Sequence, residues 1–194
     1  MLSFADCERA YKAKSITPSV IEAVRYYASQ NNGRAWMILG NCYRNGWVVP
    51  KDNAKGAECI MKGVNLGDIS AMGAAAYSLR HGSGGFVKNE GLAIQLEAQA
   101  FRLALSKAYS DASCAYTVGR AYYYAEGGIS KDYPKAYEYL TASARLGSSD
   151  ALVLLANMYQ YGHYVRKDIS EARRLLERAI AMGNDVAKID IKYL

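Results

Sequence analysis

Histidine and proline are scarce in this chain: two histidines, His81 and His163, and three prolines among 194 residues. Neither histidine has a second ligand at helical or loop spacing, so no metal site is expected. No Gly-x-Ser-x-Gly turn and no Gly-x-x-x-x-Gly-Lys loop occurs, which removes the sequence signals of a nucleophile elbow and of a phosphate cradle. His81-Gly-Ser-Gly-Gly-Phe86 is rich in glycine but lacks the lysine and a preceding strand, and it reads as a turn. No apolar run is long enough to span a bilayer. The first residues, MLSFADC, carry neither a basic start nor an apolar stretch, so no secretory signal is expected and the location implied is cytoplasmic. Phe4-Ala5-Asp6 before Cys7 also makes a poor lipidation site. With no catalytic constellation, the chain is expected to be no enzyme, to carry no cofactor and to have no small-molecule substrate.

What is abundant is repetition. The stretch VGRAYYYAEGGISKDYPKAYEYLTASARLG, residues 118–147, recurs in softened form along the chain. Leu155, Ala156, Tyr159, Lys167-Asp168, Ala172 and Gly183 fall on Val118, Gly119, Tyr122, Lys131-Asp132, Ala136 and Gly147. Leu39, Gly40, Tyr43, Lys51-Asp52, Gly56, Ile60 and Gly67 form another copy; Ala75, Ala76, Leu79, Lys88-Asn89 and Ala93 form a poorer one. The leading positions 39, 75, 118, 155 and 191 are separated by 36, 43, 37 and 36 residues. The long interval predicts about two extra helical turns, or a longer loop, between Leu96 and Ser110. Apolar residues at i, i+4 and i+8 predict two helices per unit joined by a glycine-containing turn. Asp52, Asp132 and Asp168 stand just before each second helix, where a carboxylate caps the helix start. Mid-helix Gly40 and Gly119 cost stability against alanine, and close approach of a neighbouring helix explains them. Such hairpins bury their apolar faces only by stacking.

These residues resemble the Sel1-like repeat (SLR), a relative of the tetratricopeptide repeat. Its pattern is Ala-x-x-x-Leu-Gly-x-x-Tyr, a Gly-rich turn, Val-x-x-Asp, Lys-Ala and a late Ala-x-x-Gly. It reads here as Ala35, Leu39, Gly40, Tyr43, Gly46, Val49, Asp52, Lys55; as Gly128, Ile129, Asp132, Lys135, Ala136, Gly147; and as Ala151, Leu155, Tyr159, Gly162, Val165, Asp168, Ala172, Gly183. The second copy departs from it, with Ala75 for the leucine and Asn89 for the aspartate. The resemblance implies an all-α, right-handed solenoid of four to five stacked helical hairpins filling one domain, 1–194. Residues 1–30 would form an N-terminal capping hairpin and 31–67, 68–110, 111–147 and 148–183 the repeats. Residues 184–194 would be a half-repeat or cap. Some secreted members of the family carry a disulfide in every repeat; Cys7, Cys42, Cys59 and Cys114 are not at repeating positions, so buried thiols are expected. Cys42 and Cys59 lie on the two helices of one hairpin, which leaves a pairing between them open.

The resemblance implies a protein-interaction module, an adaptor or scaffold of bacterial origin. By analogy with tetratricopeptide repeats, residues about 100° around each first helix from the packing positions line an inner groove. That set is Arg34, Met37, Asn41, Arg44 and Asn45 in the first copy and Tyr77, Arg80 and His81 in the second. Tyr116, Arg120, Tyr123 and Tyr124 follow in the third, and Asn157, Gln160 and Tyr161 in the fourth. Tyrosine and arginine concentrate binding energy at interfaces, and Arg44, Arg80 and Arg120 form a candidate guanidinium ladder for an acidic segment or a C-terminal carboxylate. A bacterial immunity-type inhibitor that captures a toxin or effector is an alternative the resemblance allows. A nucleic-acid binder using the Arg/Tyr face is another, disfavoured because the net charge of +6 is scattered and forms no Lys/Arg run.

Overall fold

A computed structural model describes residues 1–194. The chain is all-α: α1 (Phe4–Lys12), α2 (Pro18–Ser29), α3 (Gly33–Asn45), α4 (Asn53–Asn65), α5 (Ile69–His81), α6 (Glu90–Leu105), α7 (Ala112–Tyr124), α8 (Tyr133–Arg145), α9 (Ser149–Tyr161), α10 (Ile169–Ala181) and α11 (Asp185–Asp190). Short 3-10 turns cover Glu126–Gly128 and Ile191–Tyr193. Helices pair as hairpins, α3 with α4, α7 with α8 and α9 with α10, the stacking unit of an α-solenoid. Two compact units result, Met1–Ala100 and Phe101–Leu194.

The long repeat interval resolves into a slightly longer helix and a longer loop after it. α6 has 16 residues where α4 and α8 have 13. The connection after it covers 106–111, against 66–68 and 146–148 after α4 and α8.

Each unit has its own core. In the first, Val24, Ile38, Ile60 and Met72 are sealed from solvent; in the second, Leu140, Leu152, Met158 and Leu176 are. Burying one such side chain fully contributes about 1.5–3 kcal/mol. The mid-helix glycines set how closely the hairpins close. A Cβ on Gly40 would lie 2.7 Å from the Gly56 carbonyl oxygen, and one on Gly119 would lie 2.8 Å from Leu140 Cγ. No methyl group fits at either place, so the cost of glycine in these helices is offset by tight packing.

The turn inside each hairpin is built the same way four times. The amides of Asp52, Asn89, Asp132 and Asp168 donate back to the carbonyls of Tyr43, Leu79, Tyr122 and Tyr159 at 2.9–3.0 Å. The side chains of the same four residues accept from the amides of Lys55, Leu92, Lys135 and Glu171, each at 2.9 Å. One residue therefore closes the turn with its backbone and caps the next helix with its side chain, and asparagine performs both tasks in the second copy. The preceding helix ends on a left-handed residue: Gly46 (φ 71°), Gly82 (φ 62°), Ala125 (φ 61°) and Gly162 (φ 73°). Two residues later the backbone is left-handed again, at Val48 (φ 63°), Gly84 (φ 59°), Gly127 (φ 63°) and Tyr164 (φ 67°). Glycine suits both positions, and Ala125, Val48 and Tyr164 are the exceptions.

All four cysteines are free and buried, Cys42 and Cys59 included.

Candidate interaction face

The first helices carry the candidate residues, and each unit presents its own set. In the first unit the α1 and α3 side chains interlock. The Arg34 guanidinium meets Glu8 at 3.3 Å and lies 5.9 Å from the centre of the Tyr11 ring. Asn41 Nδ2 donates to the Tyr11 hydroxyl at 2.8 Å and lies 3.0 Å from Met37 Sδ. Burial holds the Tyr11 hydroxyl pKa above the phenol range, with the Arg34 charge opposing it. Asn45 is exposed and donates to the Asn41 carbonyl. Tyr77 and His81 stand on the surface as a tilted pair with ring centres 4.3 Å apart, and His81 Nδ1 sits 2.8 Å from the Tyr77 carbonyl oxygen.

In the second unit Tyr116 lies beneath the Arg120 guanidinium, 5.7 Å from ring centre to cation, and burial pushes its pKa up to about 12. Tyr124 and Tyr161 are exposed, and Asn157 and Gln160 are half-buried. The Gln160 amide donates to the Tyr193 carbonyl at 3.3 Å, so the final 3-10 turn covers part of that helix.

Two of the expected contact residues are not available to a ligand. Met37 is 3% exposed and Tyr123 is 7% exposed. Met37 sits against Tyr11 of α1 and Tyr123 packs among Tyr133 and His163, while the first helices also meet one another, α3 with α5 and α7 with α9. Each first helix therefore buries a wider arc than a single hairpin contact demands, and residues one helical step from the packing face fall inside it. In α9 that arc takes in every residue from Ala151 to Ala156. The Tyr123 hydroxyl lies 3.0 Å from His163 Nδ1, whose ring stacks on Tyr133 with centres 4.4 Å apart.

The three arginines expected to act alike differ in what holds them. Arg80 is clamped by Glu97, at 2.7 and 2.8 Å to its two oxygens, and by Glu90 at 3.3 Å. Arg120 meets Glu126 at 2.9 Å. Both charges are neutralised within the chain. Arg44 is half-buried, its aliphatic stem packs over Gly56 and its guanidinium lies over Gly84, where a Cβ would overlap it. Its hydrogen-bond partner is a neutral one, the Ser78 hydroxyl at 3.0 Å, and the Ser78 hydroxyl itself donates to the Ala74 carbonyl. Burial is the first cause drawing its pKa below the usual guanidinium value, and no carboxylate counters it. Glu97, Glu126 and Ser78 are thus the residues that decide which guanidinium is available, and spacing along the sequence does not reveal them. Their only sequence signal is that Glu97 is the one acid between Leu92 and Leu105.

These hairpins, with their repeated turn and cap, define a helical-repeat scaffold. The Sel1 repeat profile matches residues 37–68, 69–104, 112–148 and 149–184. The chain belongs to the Sel1 repeat family. Among solved structures, a Sel1 repeat protein from Oxalobacter formigenes is 24% identical with a TM-score of 0.55, over 90% of this chain and 48% of that one. A putative Sel1 repeat protein from Klebsiella pneumoniae is 20% identical with a TM-score of 0.54, over 96% of this chain and 88% of that one. A protective antigen of uropathogenic Escherichia coli with an SLR fold is 19% identical with a TM-score of 0.52, over 95% of this chain and 38% of that one. This chain thus spans about half the length of the Oxalobacter protein and less of the Escherichia coli antigen. At these identities the likeness is one of fold. No curated protein sequence matches the chain at a significant level. Sel1 repeats are in general non-catalytic scaffolds for protein interaction, and no helix here is long and apolar enough to cross a membrane.

Proposed function

We propose that this chain is a non-enzymatic interaction module that holds a partner protein or peptide against its first-helix face. Arg44 receives an acidic residue or a C-terminal carboxylate of that partner. The observation that carries this reading is the contrast among the arginines. Arg80 and Arg120 spend their charge on Glu97 and Glu126, while Arg44 holds a half-buried guanidinium against a neutral hydroxyl. A carboxylate arriving there would gain charge-assisted hydrogen bonds from donors that Ser78 does not occupy. Asn41, Asn45 and Tyr77 lie on the same first helices, α3 and α5, and would supply polar and aromatic contacts. The guanidinium ladder thereby contracts to a single anchoring cation in the first unit.

An array of acidic peptides, each paired with its Asn/Gln counterpart, tests the reading. The chain is expected to retain acidic members and to lose their uncharged partners. Arg44→Gln should weaken retention by about tenfold or more, the worth of a hydrogen bond to a charged group, with an unchanged helical circular-dichroism spectrum. Equal retention by a folded Arg44→Gln protein, or retention of nucleic acid in place of peptides, would overturn the proposal.

A further inference from the structure

A recess of the second unit runs along α8. The helix buries Ala136, Leu140, Ser143 and Ala144. Another stripe, from Pro134 through Glu138 and Thr141 to Arg145, forms the floor of a groove of about 550 Å³. Tyr109, from the connection before α7, and Tyr164, from the turn after α9, flank it, and Tyr137 completes the aromatic wall.

Packing alone does not account for three features of this groove. Tyr164 occupies the left-handed position at which the second and third repeats carry Gly84 and Gly127 and the first carries Val48, and its side chain is 60% exposed against 47% for Val48. A bulky residue there strains the backbone and recovers little burial. Its ring lies 5.6 Å from Tyr137, so the strain holds an aromatic face toward the groove wall. Thr141 is the second: its hydroxyl is shut off from solvent and has no hydrogen-bond partner. Threonine has two rotamers available in a helix, so this hydroxyl is able to turn. The third is charge. The Glu138 carboxylate accepts from the Tyr109 hydroxyl, and Lys135 pairs with Asp132 at 3.3 Å, whereas Arg145 is exposed with no carboxylate beside it. The groove offers aromatic walls, a hydroxyl lacking an acceptor and an unanswered positive charge.

We infer that this groove is a second docking site, and that its occupant is an aromatic side chain of a protein partner with a carboxylate immediately beside it. The ring lies against Tyr137 and Tyr164, and the carboxylate accepts from Arg145 and the Thr141 hydroxyl. The volume falls in the range of sites that enclose a small group, and the mixture of apolar wall and few polar groups suits one anchor residue. This site is independent of Arg44: it uses second-helix and turn residues, and the loss of either leaves the other intact.

The test is a titration of the ¹⁵N-labelled full chain with the dipeptide N-acetyl-Asp-Phe-amide, followed by amide chemical shifts, with N-acetyl-Asn-Phe-amide as the uncharged match. The expected result is saturable shifts clustered at the amides of Thr141, Arg145 and Tyr164. Binding should weaken about tenfold for the Asn dipeptide and for Arg145→Gln, the loss that removing one charge-assisted hydrogen bond brings. Tyr164→Gly should abolish saturable binding without lowering the melting temperature, because glycine suits that backbone, so lost binding would not report lost folding. Shifts that scatter or do not saturate, or equal binding of both dipeptides, would overturn the inference.

Discussion

Replacing Ala125 by glycine should stabilise this protein, although glycine is a poorer helix former than alanine. Ala125 follows the last residue of α7 with φ 61°, the place filled by Gly46, Gly82 and Gly162 in the other repeats. An L-residue in that region costs about 1–2 kcal/mol. Glycine removes this cost but adds freedom to the unfolded chain, which gives back about 0.4–1 kcal/mol. Ala125 is exposed, so little burial leaves with its methyl group. The net gain is about 0.5–1 kcal/mol, a rise of about 1–4 °C in melting temperature for a chain of this size. The reverse substitution, Gly162→Ala, isolates the same term. A Cβ there would meet Lys167 Cβ at 3.5 Å, an ordinary contact, so the penalty is conformational and should be about 1 kcal/mol destabilising. Thermal melts followed at 222 nm, repeated as urea titrations, read both. If helix propensity governed these positions the two signs would reverse, and that reversal would refute the reasoning.

Two further outcomes follow from capping and burial. The Asp132 carboxyl is held below its ordinary pKa, first by the Lys135 amide it accepts from. Its stabilisation is therefore whole above the usual carboxylate range and is lost as pH falls through the depressed folded value. Asp132→Ala should melt lower than the parent at neutral pH, and the two melts should converge on acidification below about pH 4; a constant gap would refute the cap. Burial raises the Cys42 thiol to about 11, and the Cys114 thiol also to about 11 with Asp111 contributing. Native protein should therefore react with Ellman's reagent far more slowly than urea-unfolded protein, and prompt labelling of the native thiols would show that these sites open.

How much was legible beforehand depends on which residues a repeat needs. Leu39, Tyr43, Gly119, Leu140 and Gly162 each have a counterpart doing the same work in another hairpin, so the internal repeat exposes helices, turns and caps together. Asn89 shows how far that goes, since it breaks the pattern by identity and keeps it by geometry, capping α6 as the aspartates cap theirs. The candidate site is less legible because it depends on reach across helices rather than on period. Met37 and Tyr123 obey the angular rule for an outward face, yet both are buried, Met37 against Tyr11 and Tyr123 among Tyr133 and His163. Arg80 is indistinguishable in sequence from Arg44, but only Arg80 has Glu97 within reach. The six additional residues between the second and third repeats were detectable in number, and their division between α6 and the following connection was not.

A repeat protein carries its own controls, because each hairpin solves the same packing problem. Where all four copies agree, as in the amide returned to the Tyr43, Leu79, Tyr122 and Tyr159 carbonyls, the fold alone demands the agreement. Where a residue carries a cost that its own surroundings do not recover, packing within the hairpin does not explain it. Gly40 and Gly119 are costly within a helix, but tight contacts surround them. Tyr164 and Arg44 lack that compensation: one strains its backbone to hold an exposed ring, the other keeps a half-buried charge with a neutral partner. Glycine at 164 would relax the turn, and a carboxylate near 44 would answer the charge as Glu97 answers Arg80. Relief is thus one substitution away in each case, and both residues are better explained by what they meet in a complex than by what they do for the chain alone.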